Sequence, residues 1–79
     1  MNQSLLQTLT DLDAGATLFQ EGVKEFGFVE TADGRRYKVP PGTLNYLKTE
    51  SYIVYDLEGD VWKITPQGRG ALITMRGAE

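Results

Sequence analysis

Apolar positions recur along this chain in more than one rhythm, and the rhythm changes within the first third. Leu5, Leu6, Leu9 and Leu12 keep to one helical face behind Ser4-Leu5-Leu6-Gln7, which has the form of a capping box, so a first helix of about two to three turns is predicted. Asp13-Ala14-Gly15 interrupts it. Thr17-Leu18-Phe19-Gln20 then offers a second capping box, and Phe19, Val23 and Phe26 fall at i, i+4 and i+7. That spacing predicts a second helix ending at Gly27, or a single kinked helix with the first. Gly22 inside it would cost about 1 kcal/mol relative to Ala.

From Phe28 the period shortens to two. Phe28-Val29-Glu30-Thr31, the Ala32-Asp33-Gly34 turn and Arg35-Arg36-Tyr37-Lys38-Val39 read as strand, turn and strand. Alternation sends Tyr37 and Val39 toward the core and Arg36 and Lys38 toward water. Pro40-Pro41 stops the strand, and proline suits the first turn of a helix, so Pro41 to Lys48 is predicted as a short helix anchored by Leu44 and Leu47.

Tyr52-Ile53-Val54-Tyr55 and Val61-Trp62-Lys63-Ile64 are β-branched and aromatic runs on either side of Asp56-Leu57-Glu58-Gly59-Asp60. They predict a hairpin with Gly59 in a positive-φ position. Thr65 then supplies an N-cap and Pro66 the first position of a last helix, with Ala71, Leu72 and Met75 on its apolar side. Gly68 and Gly70 weaken that helix in isolation, so it should depend on docking. The predicted fold is α+β: one small domain over residues 1–79, with N-terminal helices and two antiparallel hairpins.

Composition narrows the chemistry more than the fold. The 79 residues contain neither Cys nor His, which removes disulfides, thiolate nucleophiles, Cys/His zinc sites and the usual general base near neutral pH. No nucleophile, acid/base pair or phosphate loop has a local signature, and so small a domain has little room for a substrate pocket; catalysis, a metal and a cofactor are not expected. Met1-Asn2-Gln3-Ser4 has no basic n-region and no apolar run approaches a membrane span, so a cytoplasmic protein of bacterial or phage style is expected. The net charge of −3 is unevenly spread: residues 1–33 carry six acids against one base, −5, and residues 34–79 carry seven bases against five acids, +2.

The stretch from Val39 to Leu72 resembles the second half of a winged helix-turn-helix domain. Thr43-Leu44-Asn45-Tyr46-Leu47 stands in the recognition-helix position, the two β-branched runs stand as wing strands, and Ile64-Thr65-Pro66-Gln67-Gly68 is similar to the join between wing and closing helix in many bacterial regulators. The resemblance implies a regulatory DNA-binding module that presents residues 41–49 to the major groove. Two features of the family pattern are missing. A hairpin over residues 28–39 stands where the family has a helix, and the wing tip carries Asp56, Glu58 and Asp60 instead of bases.

For DNA, the candidate contacts are Arg35, Arg36, Lys38 and Lys48 on phosphates, Thr43 as a phosphate donor at a helix start, and Asn45 on a base edge. The same residues fit a solvated strand face with a capping Thr, and four phosphate contacts would bind weakly unless a homodimer doubled the footprint. A second reading has Asp56, Glu58 and Asp60, with Tyr46 and Tyr52 as exposed aromatics, meeting a basic protein surface in a phage-type interaction or inhibitor domain; the acidic residues 11–33 could serve the same end. Trp62 is expected in the core.

Overall fold

The computed structural model describes residues 3–20 and 26–77. Helix α1 (Gln3–Asp13) is followed by strands β1 (Thr17–Phe19), β2 (Gly27–Glu30) and β3 (Arg36–Val39). Helix α2 (Pro41–Thr49), strands β4 (Ile53–Asp56) and β5 (Val61–Ile64), and helix α3 (Pro66–Gly77) complete the chain. The α+β class is as expected. The five strands form one antiparallel sheet in the order β3-β2-β1-β5-β4, so β1 sits in the middle with a hairpin on either side.

The central strand corrects the sequence reading. Thr17 to Phe19 was expected to open a second helix, yet Leu18 pairs with Val29 on one side and Trp62 on the other and is fully buried. A three-residue strand is too short to show its alternation, and pairing on both edges outweighs the local helical spacing. Among the described residues there is thus one N-terminal helix, and its expected continuation through Thr17 is a strand; Gly22 and Val23 of the expected second helix lie outside the described residues. Ser4 is also not a cap, because α1 already includes Gln3, and the Ser4 carbonyl accepts the Thr8 hydroxyl at 2.7 Å.

Helix α1 ends where the sequence broke. Ala16 N–H reaches the Asp11 carbonyl (2.9 Å), Gly15 N–H reaches that of Leu12 (3.1 Å), and Gly15 takes the left-handed conformation (φ 101°) that this helix stop requires. The same stop ends α2 through Tyr52 N–H to Leu47 and Ser51 N–H to Lys48, with Ser51 itself at φ 60°. In the β2–β3 turn Gly34 (φ 90°) fills the positive-φ position, as Asp-Gly implied. In the β4–β5 turn that position falls on Asp60 (φ 54°) instead of the expected Gly59.

The core lies between the sheet and one layer of helices. Leu18, Val29, Val39 and Ile53 from the sheet meet Leu5, Leu9 and Leu12 of α1, Leu44 and Leu47 of α2, and Leu72 of α3. Each such side chain contributes about 1.5–3 kcal/mol by leaving water. Tyr37, Trp62, Ile64 and Met75 close the rim of this core. Thr65 caps α3 as expected: its Oγ1 accepts the Gly68 N–H at 3.0 Å and donates to the Ser51 carbonyl at 2.6 Å, tying the helix start to the end of α2. Among the described residues no helix is long and apolar enough to cross a membrane.

Candidate nucleic-acid interface

The helices cover one face of the sheet, and strand alternation decides what the other face carries. Opposite the core, β1 presents Thr17 and Phe19, β2 presents Phe28 and Glu30, and β3 presents Arg36 and Lys38. Val54, Asp56, Val61 and Lys63 continue this face across β4 and β5. The register sets Phe19 opposite Phe28, and Phe28 opposite Lys38.

Three rings and two cations meet there. Phe19 and Phe28 stack with centroids 5.9 Å apart and planes 29° apart, and Phe26 meets Phe28 edge-on at 5.3 Å. The Arg36 guanidinium carbon lies 4.8 Å from both the Phe19 and the Phe28 centroid, and the Lys38 ammonium 4.0 Å from that of Phe26. The rings are half-buried, and Arg36 and Lys38 are exposed. A cation over an aromatic face is held by the ring quadrupole, worth about 0.5–1 kcal/mol at an exposed site. The cluster is therefore ordered without being closed to solvent.

Lys63 extends the positive side chains across the sheet, but its charge is shared. Its ammonium lies 2.9 Å from Asp56, which lowers the Asp56 carboxyl pKa and raises that of Lys63. Asp56 also accepts the Glu58 N–H at 3.1 Å.

The six residues expected to contact DNA do not share one surface. Arg36 and Lys38 lie on the open face. Arg35 stands on the β2–β3 turn, where its Nε is 3.1 Å from Asp33, whose carboxyl is held below its usual range by the Thr31 hydroxyl and then by Arg35. Lys48 belongs to the helical layer: it donates to Gln20 Oε1 at 3.0 Å and lies 4.8 Å from the Trp62 centroid. Asn45 is exposed on α2 beside a shallow depression that Gln20, Pro41 and Gly42 also line. Thr43 is buried, and the cap of α2 is Pro40, so Thr43 cannot present its hydroxyl to a phosphate at the helix start.

The expected protein-contact residues divide as well. Asp60 accepts the Tyr55 hydroxyl and Asp56 is bound to Lys63, whose charge Glu58 also favours from a greater distance. Tyr46 is exposed, and the half-buried Tyr52 meets it edge-on at 6.0 Å. No group of three acids among the described residues is placed to hold a metal ion. The sequence reading missed the contribution of Phe19, Phe26 and Phe28. Phe28 is legible, since it alternates with Val29, whereas the spacing of Phe19 and Phe26 predicts a helix.

Comparison with known proteins finds no matching family model, no matching curated protein and no matching solved structure.

Proposed function

We propose that this chain is a small non-enzymatic nucleic-acid-binding module, with a regulatory role, that contacts its ligand through the open face of the sheet. The observation that carries this reading is the cluster of Phe19, Phe26 and Phe28 beside Arg36 and Lys38, on a face that carries no helix among the described residues. Cations placed beside aromatic rings suit a ligand that is both polyanionic and rich in flat π-surfaces. Groove reading by α2 in the winged-helix manner has less support, because α2 follows strand β3 and its Thr43 is buried. A basic protein partner at the β4–β5 tip has less support too, since Asp56 and Asp60 are each bonded within the hairpin.

The reading is tested by an amide-resolved NMR titration of the labelled chain with DNA, at low and then physiological salt. Shifts centred on residues 28 and 36–38, weakening with salt and lost in an Arg36→Glu, Lys38→Glu variant, are expected. An absence of shifts at low salt, or shifts confined to the hairpin tip, would overturn it.

A further inference from the structure

We infer that the ligand of the open face is single-stranded DNA, its unpaired bases stacking on Phe28 and Phe19 while Arg36 and Lys38 hold the adjoining phosphates. This rests on the nucleic-acid reading above and names the form of the ligand.

Shape is the first argument. Five strands about 4.8 Å apart make a surface roughly 19 Å across, whereas the major groove of B-DNA is about 12 Å wide. The sheet cannot enter a duplex groove broadside, and α2 and α3 are on its other side. Against a duplex it would meet only phosphates, and the rings would have no partner, because paired bases already cover one another's faces.

Ring geometry is the second. Phe19 and Phe28 stack with planes only 29° apart, so an unpaired base can continue the same stack, and Phe26 stands edge-on to Phe28. Unpaired bases have free faces and stack on such rings with little regard to sequence. Arg36, 4.8 Å from both centroids, can stay as a guanidinium plane in the stack or swing its charge to a phosphate.

Charge is the third. Arg36 and Lys38 are two residues apart on β3 and point the same way, so the cations lie roughly 7 Å apart along the strand, a span close to one nucleotide step. Glu30, opposite Arg36 in the register, keeps the phosphate path on the Lys38 side of the rings. DNA is preferred to RNA because the groups of this face able to accept a ribose 2′-OH beside the rings, Thr17 and Glu30, sit one register pair away on the Arg36 side, so a 2′-OH on the Lys38 side of the rings meets mainly carbon.

Fluorescence anisotropy on the full chain separates the alternatives, using a labelled ten-nucleotide mixed-sequence DNA strand, the duplex it forms, and the RNA strand of the same sequence. The single DNA strand is expected to bind at least about tenfold more tightly than the duplex. Phe28→Leu, which keeps an apolar side chain but removes the π-face, should lose roughly tenfold for the strand, while Phe28→Tyr retains binding. Urea unfolding of both variants checks that the fold is kept. Equal or tighter duplex binding, or an unaffected Phe28→Leu, would overturn the single-strand assignment and leave the face as a phosphate contact. RNA bound as tightly as DNA would overturn the choice of DNA. Failure of all three probes to bind at low salt would overturn the nucleic-acid reading beneath it.

Discussion

Ser51 holds a left-handed backbone (φ 60°) that a side chain opposes, at the point where α2 hands the chain to β4. Its N–H bonds to Lys48 and its carbonyl accepts from Thr65, so the conformation is imposed by both neighbours. Ser51→Gly should relieve the strain and raise stability by about 0.5–1 kcal/mol, read as a higher urea midpoint with an unchanged slope. Gly68 and Gly70 of α3 respond in opposite directions to the same change. A Cβ on Gly68 would stand 2.4 Å from the Tyr52 carbonyl oxygen and 2.8 Å from Ile64 Cγ1, whereas one on Gly70 meets nothing within 4 Å. Gly70→Ala should therefore stabilise by up to about 1 kcal/mol through helix propensity, while Gly68→Ala should cost roughly 1–3 kcal/mol as α3 is forced off the sheet. Thermal unfolding of the two variants side by side checks the sign of each. Tyr37 donates to Asp11 at 2.6 Å across the layers, and burial first, then that carboxylate, raise its phenol pKa. The raised folded-state value favours the neutral phenol in the fold, so its contribution is complete below the unfolded tyrosine value near 10 and is lost as pH climbs beyond it. Tyr37→Phe should cost about 1–2 kcal/mol at neutral pH and flatten the fall in stability above about pH 10.

Among the elements, those with a chemical stop at each end could be read from sequence. Helix α2 lies between Pro40 and its left-handed stop, the β2–β3 hairpin is pinned by Asp33-Gly34, and α3 starts on Thr65-Pro66, so local chemistry and tertiary structure agree. Strand β1 had no such signal. Its three residues with Gln20 resemble a capping box, and what makes them a strand is pairing on both edges, with β2 on one side and, through Leu18 and Trp62, with β5, 44 residues on, which no local window contains. The candidate site was half legible for the same reason. Arg36 and Lys38 were expected on the solvent face of their strand and stand there, but the rings beneath them come mainly from β1 and its neighbour β2, and only the sheet order brings the three strands together. The Thr65 cap shows how a local signal gains weight from its surroundings, since the hydroxyl serves both α3 and the end of α2. Thr65→Ala should cost about 1–2 kcal/mol, toward the upper end for a cap, and urea unfolding measures it.

At the scale of the whole molecule, the described helices all lie on one side of the sheet, the other face carries none among the described residues, and the chain's net charge of −3 is not that of this face, where Arg36, Lys38 and Lys63 stand against Glu30 and Asp56. Much of the acidic excess of the first 33 residues is spent internally: Asp11 accepts from Tyr37 and Gln7, Asp13 pairs with Arg69 at 3.2 Å, and Asp33 pairs with Arg35. The open face keeps Arg36 and Lys38 near its rings, and holds Lys63 in reserve because Asp56 occupies it. For a single strand the slope of log K against log salt is about −0.7 per neutralised phosphate, so a strand whose phosphates engage both Arg36 and Lys38 gives about −1.4. Asp56→Asn should free Lys63 to take a third phosphate, steepening the slope to about −2.1 and tightening binding at low salt. The Asp56 carboxylate is held in its charged form by Lys63, so the pair persists through neutral pH and the wild-type slope should not drift there. Anisotropy titrations at four or more salt concentrations would measure both slopes. An unchanged slope in Asp56→Asn would mean that the strand runs along β2 and β3 and never crosses β1 to reach Lys63.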